Sequence, residues 1–248
     1  GVGFGFIAGP AIGGFLIGDD PSRADFARVC LVSAALAGAA ALAALLLFRE
    51  TREGRTPSEA QAPRWALLTS RPVLARLMAA MLLTIAAQAM METTFALWAD
   101  ARMHWGPREV AWTLAGLGAG SVLLQGGGAG RAARAWGEKL TLIMGLGLFA
   151  AGLGGLAVAN TVPTLIAALG VFVVGLSLAT PALNALIASS AREDERGAVM
   201  GMSQSASALG RVVGPLLAGP AFEFIGVSAP FAAGVLLVFG ALFVAVRE

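Results

Sequence analysis

Gly5-Phe6-Ile7-Ala8-Gly9-Pro10-Ala11-Ile12-Gly13-Gly14 is the stretch from which the fold can be read. It lies in an apolar run that carries no charge before Asp19. Glycines at 5, 9 and 13 recur every four residues, so on a helix they share one face and leave it smooth. A second helix can approach such a face backbone to backbone, as small-residue stripes permit in membranes. Pro10 removes an internal N–H and bends the helix there. The same device returns as Gly210-Arg211-Val212-Val213-Gly214-Pro215-Leu216-Leu217-Ala218-Gly219. Gly5, Gly9, Pro10 and Gly14 superpose on Gly210, Gly214, Pro215 and Gly219 at one constant offset of 205 residues. An internal echo of this kind points to duplicated helix bundles, the plan on which many transporters are built.

Composition agrees with a membrane chain. Of 248 residues, 57% are hydrophobic and 13% charged, with a mean hydropathy of +0.79. Soluble domains average about 45–50% apolar and about 25% charged. The apolar excess falls in long charge-poor runs, each close to the ~20 residues that span a bilayer. A formal net charge of +2 with no basic cluster argues against nucleic acid. One cysteine, Cys30, excludes an internal disulfide and a cysteine metal cluster, and one histidine, His104, argues against a His-based metal site. Residue 1 is Gly inside an apolar helix, so the chain reads as a piece whose front end is missing.

Eight apolar segments can be drawn, at roughly 1–18, 26–48, 73–99, 109–129, 140–159, 163–187, 197–220 and 228–246. Residues 1–48 read as the last two helices of one bundle and 73–248 as a six-helix bundle. Between them, 49–72 carries Arg49, Glu50, Arg52, Glu53, Arg55, Glu59, Arg64 and Arg71 with three prolines, and reads as a solvated cytoplasmic linker. The linker, the 130–139 and 190–196 loops and the tail hold eleven Lys or Arg, against three in the alternate loops. The positive side faces the cytoplasm, which puts the C-terminus there. Both proline-glycine helices then run from inside to outside, as a parallel repeat six spans apart requires.

This plan resembles the major facilitator superfamily, whose members have two six-helix halves. The opening stretch is similar to its drug-antiporter motif in the fifth helix, so the chain would run from within helix five to helix twelve. Gly130-Arg131-Ala132-Ala133-Arg134-Ala135-Trp136-Gly137-Glu138-Lys139 resembles the family's short cytoplasmic loop motif, with Gly130, Arg134 and Gly137 in the motif positions. The tetracycline-efflux branch is a closer match. Its pattern is resembled by Phe95-Ala96-Leu97-Trp98 with Met103-His104-Trp105, by Pro181-Ala182-Leu183-Asn184-Ala185, and by Glu195-Arg196-Gly197 with Val213-Gly214-Pro215. By that resemblance an aspartate belongs in the ninth helix and a histidine in the eighth. Phe149 and Ser121 stand there instead, which puts tetracycline itself in doubt as the substrate.

Glu92 is the most informative single residue. It lies sixteen residues after Arg76 and eight before Asp100, in an otherwise uncharged span. A carboxylate at that depth costs roughly 2.5–3.5 kcal/mol, so it should face a cavity or a partner. Thr84, Gln88 and Glu92 are four apart and form one polar face. Arg211 is the second buried charge, on a face with Ser203 and Ser207. Glu92 and Arg211 are the proton-coupling candidates, expected to pair when Glu92 is ionised. The bland reading makes Glu92 a structural carboxylate and lets Arg211 bind backbone carbonyls. Gln88, Thr84, Gln125 and Asn184 are the substrate-cavity candidates, although such groups more often bridge helices. Gly5, Gly9, Pro10, Gly13, Gly14, Gly210, Gly214 and Pro215 are hinge or seal candidates at a helix interface.

These readings converge on an all-α polytopic membrane protein with eight transmembrane helices, a partial major-facilitator fold. The expected function is proton-driven efflux of a small amphipathic compound or drug across a bacterial inner membrane. The expected partners are the lipid bilayer, the substrate, protons and the missing N-terminal helices. No cofactor, metal or nucleic acid is expected. A nutrient symporter of the same superfamily is the alternative; the antiporter-like motif argues against it. An intramembrane enzyme would need a nucleophile–base pair or a metal-ligand set, and the spans offer neither.

Overall fold

The computed structural model describes residues 2–16, 22–47, 69–193 and 195–246. The side chains of residues 2–7, most of the charged linker and Asp194 lie outside the described residues. All eight expected apolar segments are helices. They are α1 (Val2–Leu16), α2 (Arg23–Leu47), α3 (Pro72–Met103), α4 (Pro107–Trp136), α5 (Glu138–Val158), α6 (Val162–Ser189), α7 (Arg196–Pro220) and α8 (Ala229–Val246). Among the described residues there is no strand.

Local chemistry sets the helix ends. Pro72, Pro107 and Pro163 sit in the first turns of α3, α4 and α6, where a missing N–H costs nothing. Glu109 accepts from the Gly106 N–H at 2.9 Å and closes the α4 start. His104 ends α3 in the left-handed conformation, at φ 55° and ψ 38°. α7 runs into a π-helical turn at Ala221–Ile225, straight after Pro220, and Gly226 at φ 144° releases the chain into α8.

Among the described residues, six helices are long and apolar enough to cross a membrane: α2, α3, α5, α6, α7 with its π turn, and α8. α1 has 15 described residues, and glycines, Ser121 and Gln125 dilute the apolar run of α4. One boundary differs from expectation. The segment Gly130–Lys139 was expected to be a loop, but α4 continues helically to Trp136 and α5 starts at Glu138. Gly137 alone makes the turn, at φ 82°, a backbone conformation that glycine adopts without strain. Nothing in the sequence Arg131–Trp136 breaks a helix, because Ala and Arg are strong helix formers.

α3 is the central element. At 32 residues it rises about 48 Å. It packs against α7, α8 and α6, while α5 and α6 form the most extensive helix pair. Glycine makes these approaches possible. A side chain at Gly152 would lie 2.5 Å from the Phe172 backbone, and one at Gly145 would lie 2.5 Å from the Ala179 nitrogen. Gly175 meets the Phe149 backbone in the same seam. Phe149 and Phe172 then meet edge to face at 5.1 Å, a contact worth about 0.5–1.5 kcal/mol. At the far end Trp98 is fully buried, donates to Ser228 Oγ at 3.3 Å and stands edge-on to Phe231. α1 packs along α4, and α2 has no buried residue.

Candidate functional site

α3 holds Glu92 half-buried, one turn beyond the half-buried Gln88. Gln88 Nε2 donates to Glu92 Oε1 at 2.7 Å. This bond is local, since residues four apart are stacked neighbours on a helix. Arg211 on α7 lies close enough for its charge to act on the Glu92 carboxylate. The two do not form a direct ion pair here, and the Arg211 side chain is exposed. Pro215 carries no N–H, so the Arg211 carbonyl loses its usual helical donor.

Thr84 does not join this group. It is buried, and its hydroxyl donates to the Ala80 carbonyl at 2.7 Å on its own helix. The reason is rotational drift. Four residues turn a helix by about 400°, so each step along an every-fourth ladder moves some 40° around it. Thr84 is buried, while Gln88 and Glu92 are half-open. On α7 the same drift takes Ser203 from the core, through the half-buried Ser207, to the exposed Arg211.

Close glycine approaches fix the relative depth of the helices. Gly214 meets Ala86 and Met90, Gly234 meets Ala87 and Leu153, Gly152 meets Phe172, and Gly120 meets Val173. Those residues form one layer across the bundle. Glu92 lies beyond this layer, away from the linker end. Asn184 lies on the linker side, and about 25 Å of helix rise separates the two. Gln125, exposed on α4, lies about 15 Å from the Glu92 level. Gln88 and Glu92 therefore form a bonded pair, Arg211 stands within electrostatic range of it without a contact, and Gln125 and Asn184 are not brought to it. Phe149 is fully buried in the α5–α6 seam, and Ser121 is half-buried on α4.

The two glycine motifs sit in different surroundings. A side chain at Gly210 would lie 2.7 Å from the Leu82 carbonyl, and one at Gly214 would lie 2.5 Å from the Ala86 carbonyl. The second motif is thus close packing of α7 on α3 within the bundle. In the first, Gly9 and Gly13 have nothing within 4 Å, whereas a side chain at Gly14 would meet Ala111 at 3.0 Å beside Trp112. The surroundings of Gly5 lie outside the described residues. Gly130 and Arg134 are helical in α4, where the Arg134 guanidinium folds back over Gly130. Among the described residues no group of His, Cys, Asp and Glu gathers to hold a metal ion.

Sequence reading missed one pairing. Arg71, at the foot of α3, makes two contacts to Glu195 at the foot of α7, at 2.8 and 3.2 Å. The partners are 124 residues apart, and no local spacing rule signals such a pair.

Comparison with known proteins agrees with this architecture. The Major Facilitator Superfamily model matches residues 1–129 and 101–248. The class B tetracycline resistance protein of Escherichia coli is 27% identical over 226 residues, covering 87% of this chain and 53% of that protein. The class H protein of Pasteurella multocida is 28% identical over 247 residues, covering 97% and 59%. The chain thus spans about half the length of the curated relatives it matches. Among solved structures, the human organic anion transporter MFSD10 (TETRAN) superposes with a TM-score of 0.65 at 21% identity, over 77% of this chain and 43% of that one. The peptide transporter POT, solved as its E310Q mutant with sulfate, gives 0.63 at 19% identity, over 75% and 41%. These two likenesses speak to the fold alone. The family model, the helical plan and the solved transporters agree, and this chain is a multi-pass membrane protein that belongs to the Major Facilitator Superfamily.

Proposed function

We propose that the whole protein to which this chain belongs exports a small amphipathic compound from a bacterial cell, driven by the proton gradient. Glu92 is the coupling carboxylate, Gln88 holds it, and Arg211 is its charge partner. The observation that carries this reading is a carboxylate deep in an apolar helix, bonded to Gln88 at 2.7 Å and within electrostatic reach of a cation on the neighbouring helix. An ionised Glu92 accepts from Gln88 and attracts Arg211. A protonated Glu92 loses that attraction, which frees α7 to shift against α3. The likeness to tetracycline resistance proteins supports drug-type cargo. Phe149 fills the seam where a ninth-helix aspartate would belong by resemblance, which favours a cargo other than tetracycline.

In this reading residues 1–48 belong to the first bundle, 49–72 to a cytoplasmic linker and 73–248 to the second, with the C-terminus in the cytoplasm of a bacterial inner-membrane protein. The repeat supports a set of earlier helices. Gly9 corresponds to Gly214, and Gly14 to Gly219, at the same offset of 205 residues. Gly214 packs on α3 while Gly9 is open; Gly14 packs on α4 while Gly219 is open. The two open faces are those that helices six spans before α3 and α4 would cover.

The test is transport by the whole protein in liposomes under an imposed pH gradient, with ethidium and tetracycline as probes. Glu92→Gln should abolish gradient-driven ethidium efflux while ethidium binding persists. Unchanged efflux would overturn the assignment of Glu92. Arg211→Ala should impair efflux, and the double variant should be no worse than Glu92→Gln alone. Fully additive defects would sink the pairing.

A further inference from the structure

α4 carries three consecutive glycines, Gly126, Gly127 and Gly128, and then Arg131. The Arg131 guanidinium folds back along the helix and lies over Gly127, where a side chain would come within 3.1 Å of its Nη1. Glycine at 127 therefore makes the seat for this cation. Gly120, Gly127 and Arg131 share one face of α4, being seven and four residues apart. That face meets α6, because Gly120 approaches Val173. On α6 the same spacing rule places Ser177, Thr180 and Asn184 in line with Val173. Both helices run the same way relative to the linker end, so Arg131 lies level with Asn184, and its guanidinium level with Thr180.

The two helices touch at Gly120 and part toward the linker end. A side chain at Gly126, Gly127, Gly128 or Gly130 would meet no atom of another helix within 4 Å. Ser177 is 1% exposed, and its hydroxyl has no hydrogen-bond partner among the described residues. Pro181 further removes the N–H that would bond the Ser177 carbonyl. Arg131, Thr180 and Asn184 have no hydrogen-bond or ion-pair partner among the described residues. Buried hydroxyls are seldom left unpaired, and a guanidinium with no counter-charge is open to an anion. Neither stripe carries a carboxylate. The cleft thus presents the exposed Arg131 guanidinium beside hydroxyl and amide donors.

We infer that the linker-side cleft between α4 and α6 binds the oxyanion group of a ligand, a carboxylate or a phosphate, on Arg131 with Thr180, Asn184 and Ser177 as supporting donors. The planar fork of Arg suits a two-oxygen acceptor. The oxyanion belongs either to a soluble amphipathic anion or to a lipid headgroup. In the first case the inference deepens the proposed export function by adding amphipathic anions to its cargo, and it rests on that reading only for the direction of movement.

The test is equilibrium binding to the whole protein in phosphatidylcholine nanodiscs, with no pH gradient, so that failure of proton coupling at Glu92 leaves the result interpretable. The probes are 1-naphthoate and its cationic counterpart 1-naphthylmethylamine. Wild type should bind naphthoate saturably, and Arg131→Gln should weaken it roughly tenfold or more, since hydrogen bonds to a charged group are worth that much. Arg131→Lys should recover part of the affinity. Gly127→Val, which takes away the seat of the guanidinium, should weaken naphthoate with thermal stability unchanged. Naphthylmethylamine binding should not fall in either variant. A parallel arm measures phosphatidylglycerol retained on the purified protein by native mass spectrometry. Arg131-dependent retention without naphthoate binding would assign the oxyanion to a lipid. If neither naphthoate binding nor lipid retention changes in Arg131→Gln and Gly127→Val, the site does not exist.

Discussion

At the scale of single residues, the ladders on α3 and α7 show how far helical periodicity reaches. An every-fourth spacing correctly joined Gln88 to Glu92, which are bonded at 2.7 Å. Extended one more step to Thr84, it failed, because the ladder winds around the helix and carries Thr84 into the core. Phe149 shows the same limit from the other side. Resemblance marked its position as chemically important, and the structure makes it a packing residue against Phe172. His104 is a turn residue, holding φ 55° at the end of α3. A side chain there carries strain that glycine would not. The left-handed conformation costs a side chain roughly 1–2 kcal/mol and glycine's extra unfolded-state entropy costs roughly 0.5–1 kcal/mol, so His104→Gly should stabilise the fold by no more than about 1 kcal/mol, read as a rise in Tm in detergent. A fall would mean that the imidazole makes a stabilising contact.

Helix pairs are held by shape, because lipid is as apolar as the side chains and drives little association on its own. Gly175 is pressed against the Phe149 backbone, whereas Gly170 on the same helix has nothing within 4 Å. Gly175→Ala should cost about 1–3 kcal/mol through overpacking, and Gly170→Ala should be neutral or slightly stabilising. Thermal unfolding of both variants checks this, and equal effects would refute the seam as described. The Arg71–Glu195 contact ties the feet of α3 and α7 and is partly open to solvent. A double-mutant cycle with Arg71→Ala and Glu195→Ala should give a coupling of about 0.5–1 kcal/mol, falling with salt. Zero coupling would make the pair incidental. The α4 boundary belongs to this scale as well. The apolar segmentation ended one span at 129 and left 130–139 as a loop, but local propensity favoured helix up to Gly137, and the helix formed.

For the whole molecule, the repeat makes its own prediction. If helices preceding this chain cover the open faces at Gly9 and Gly219, then Gly9→Leu and Gly219→Leu should each destabilise the whole protein. The loss at Gly9 should resemble that of Gly214→Leu, its counterpart on α7. Wild-type Tm in both variants would rule out the repeat as a packing rule. Eight helical segments, their approximate ends, the membrane class and the superfamily were legible from the sequence, because charge-poor runs of span length and glycine-proline echoes are local or periodic signals. The polar residues within those runs were legible as well. Which of them meet was decided only by the tertiary structure. Depth and rotation depend on how glycines let one helix settle on another, and a shift of a few residues moves a side chain by many ångströms. That settling brought Arg211 within electrostatic range of Glu92 and put Asn184 about 25 Å from Glu92 along the helix axes. It also joined Arg71 to Glu195 across 124 residues and set Arg131 level with Asn184 on the neighbouring helix.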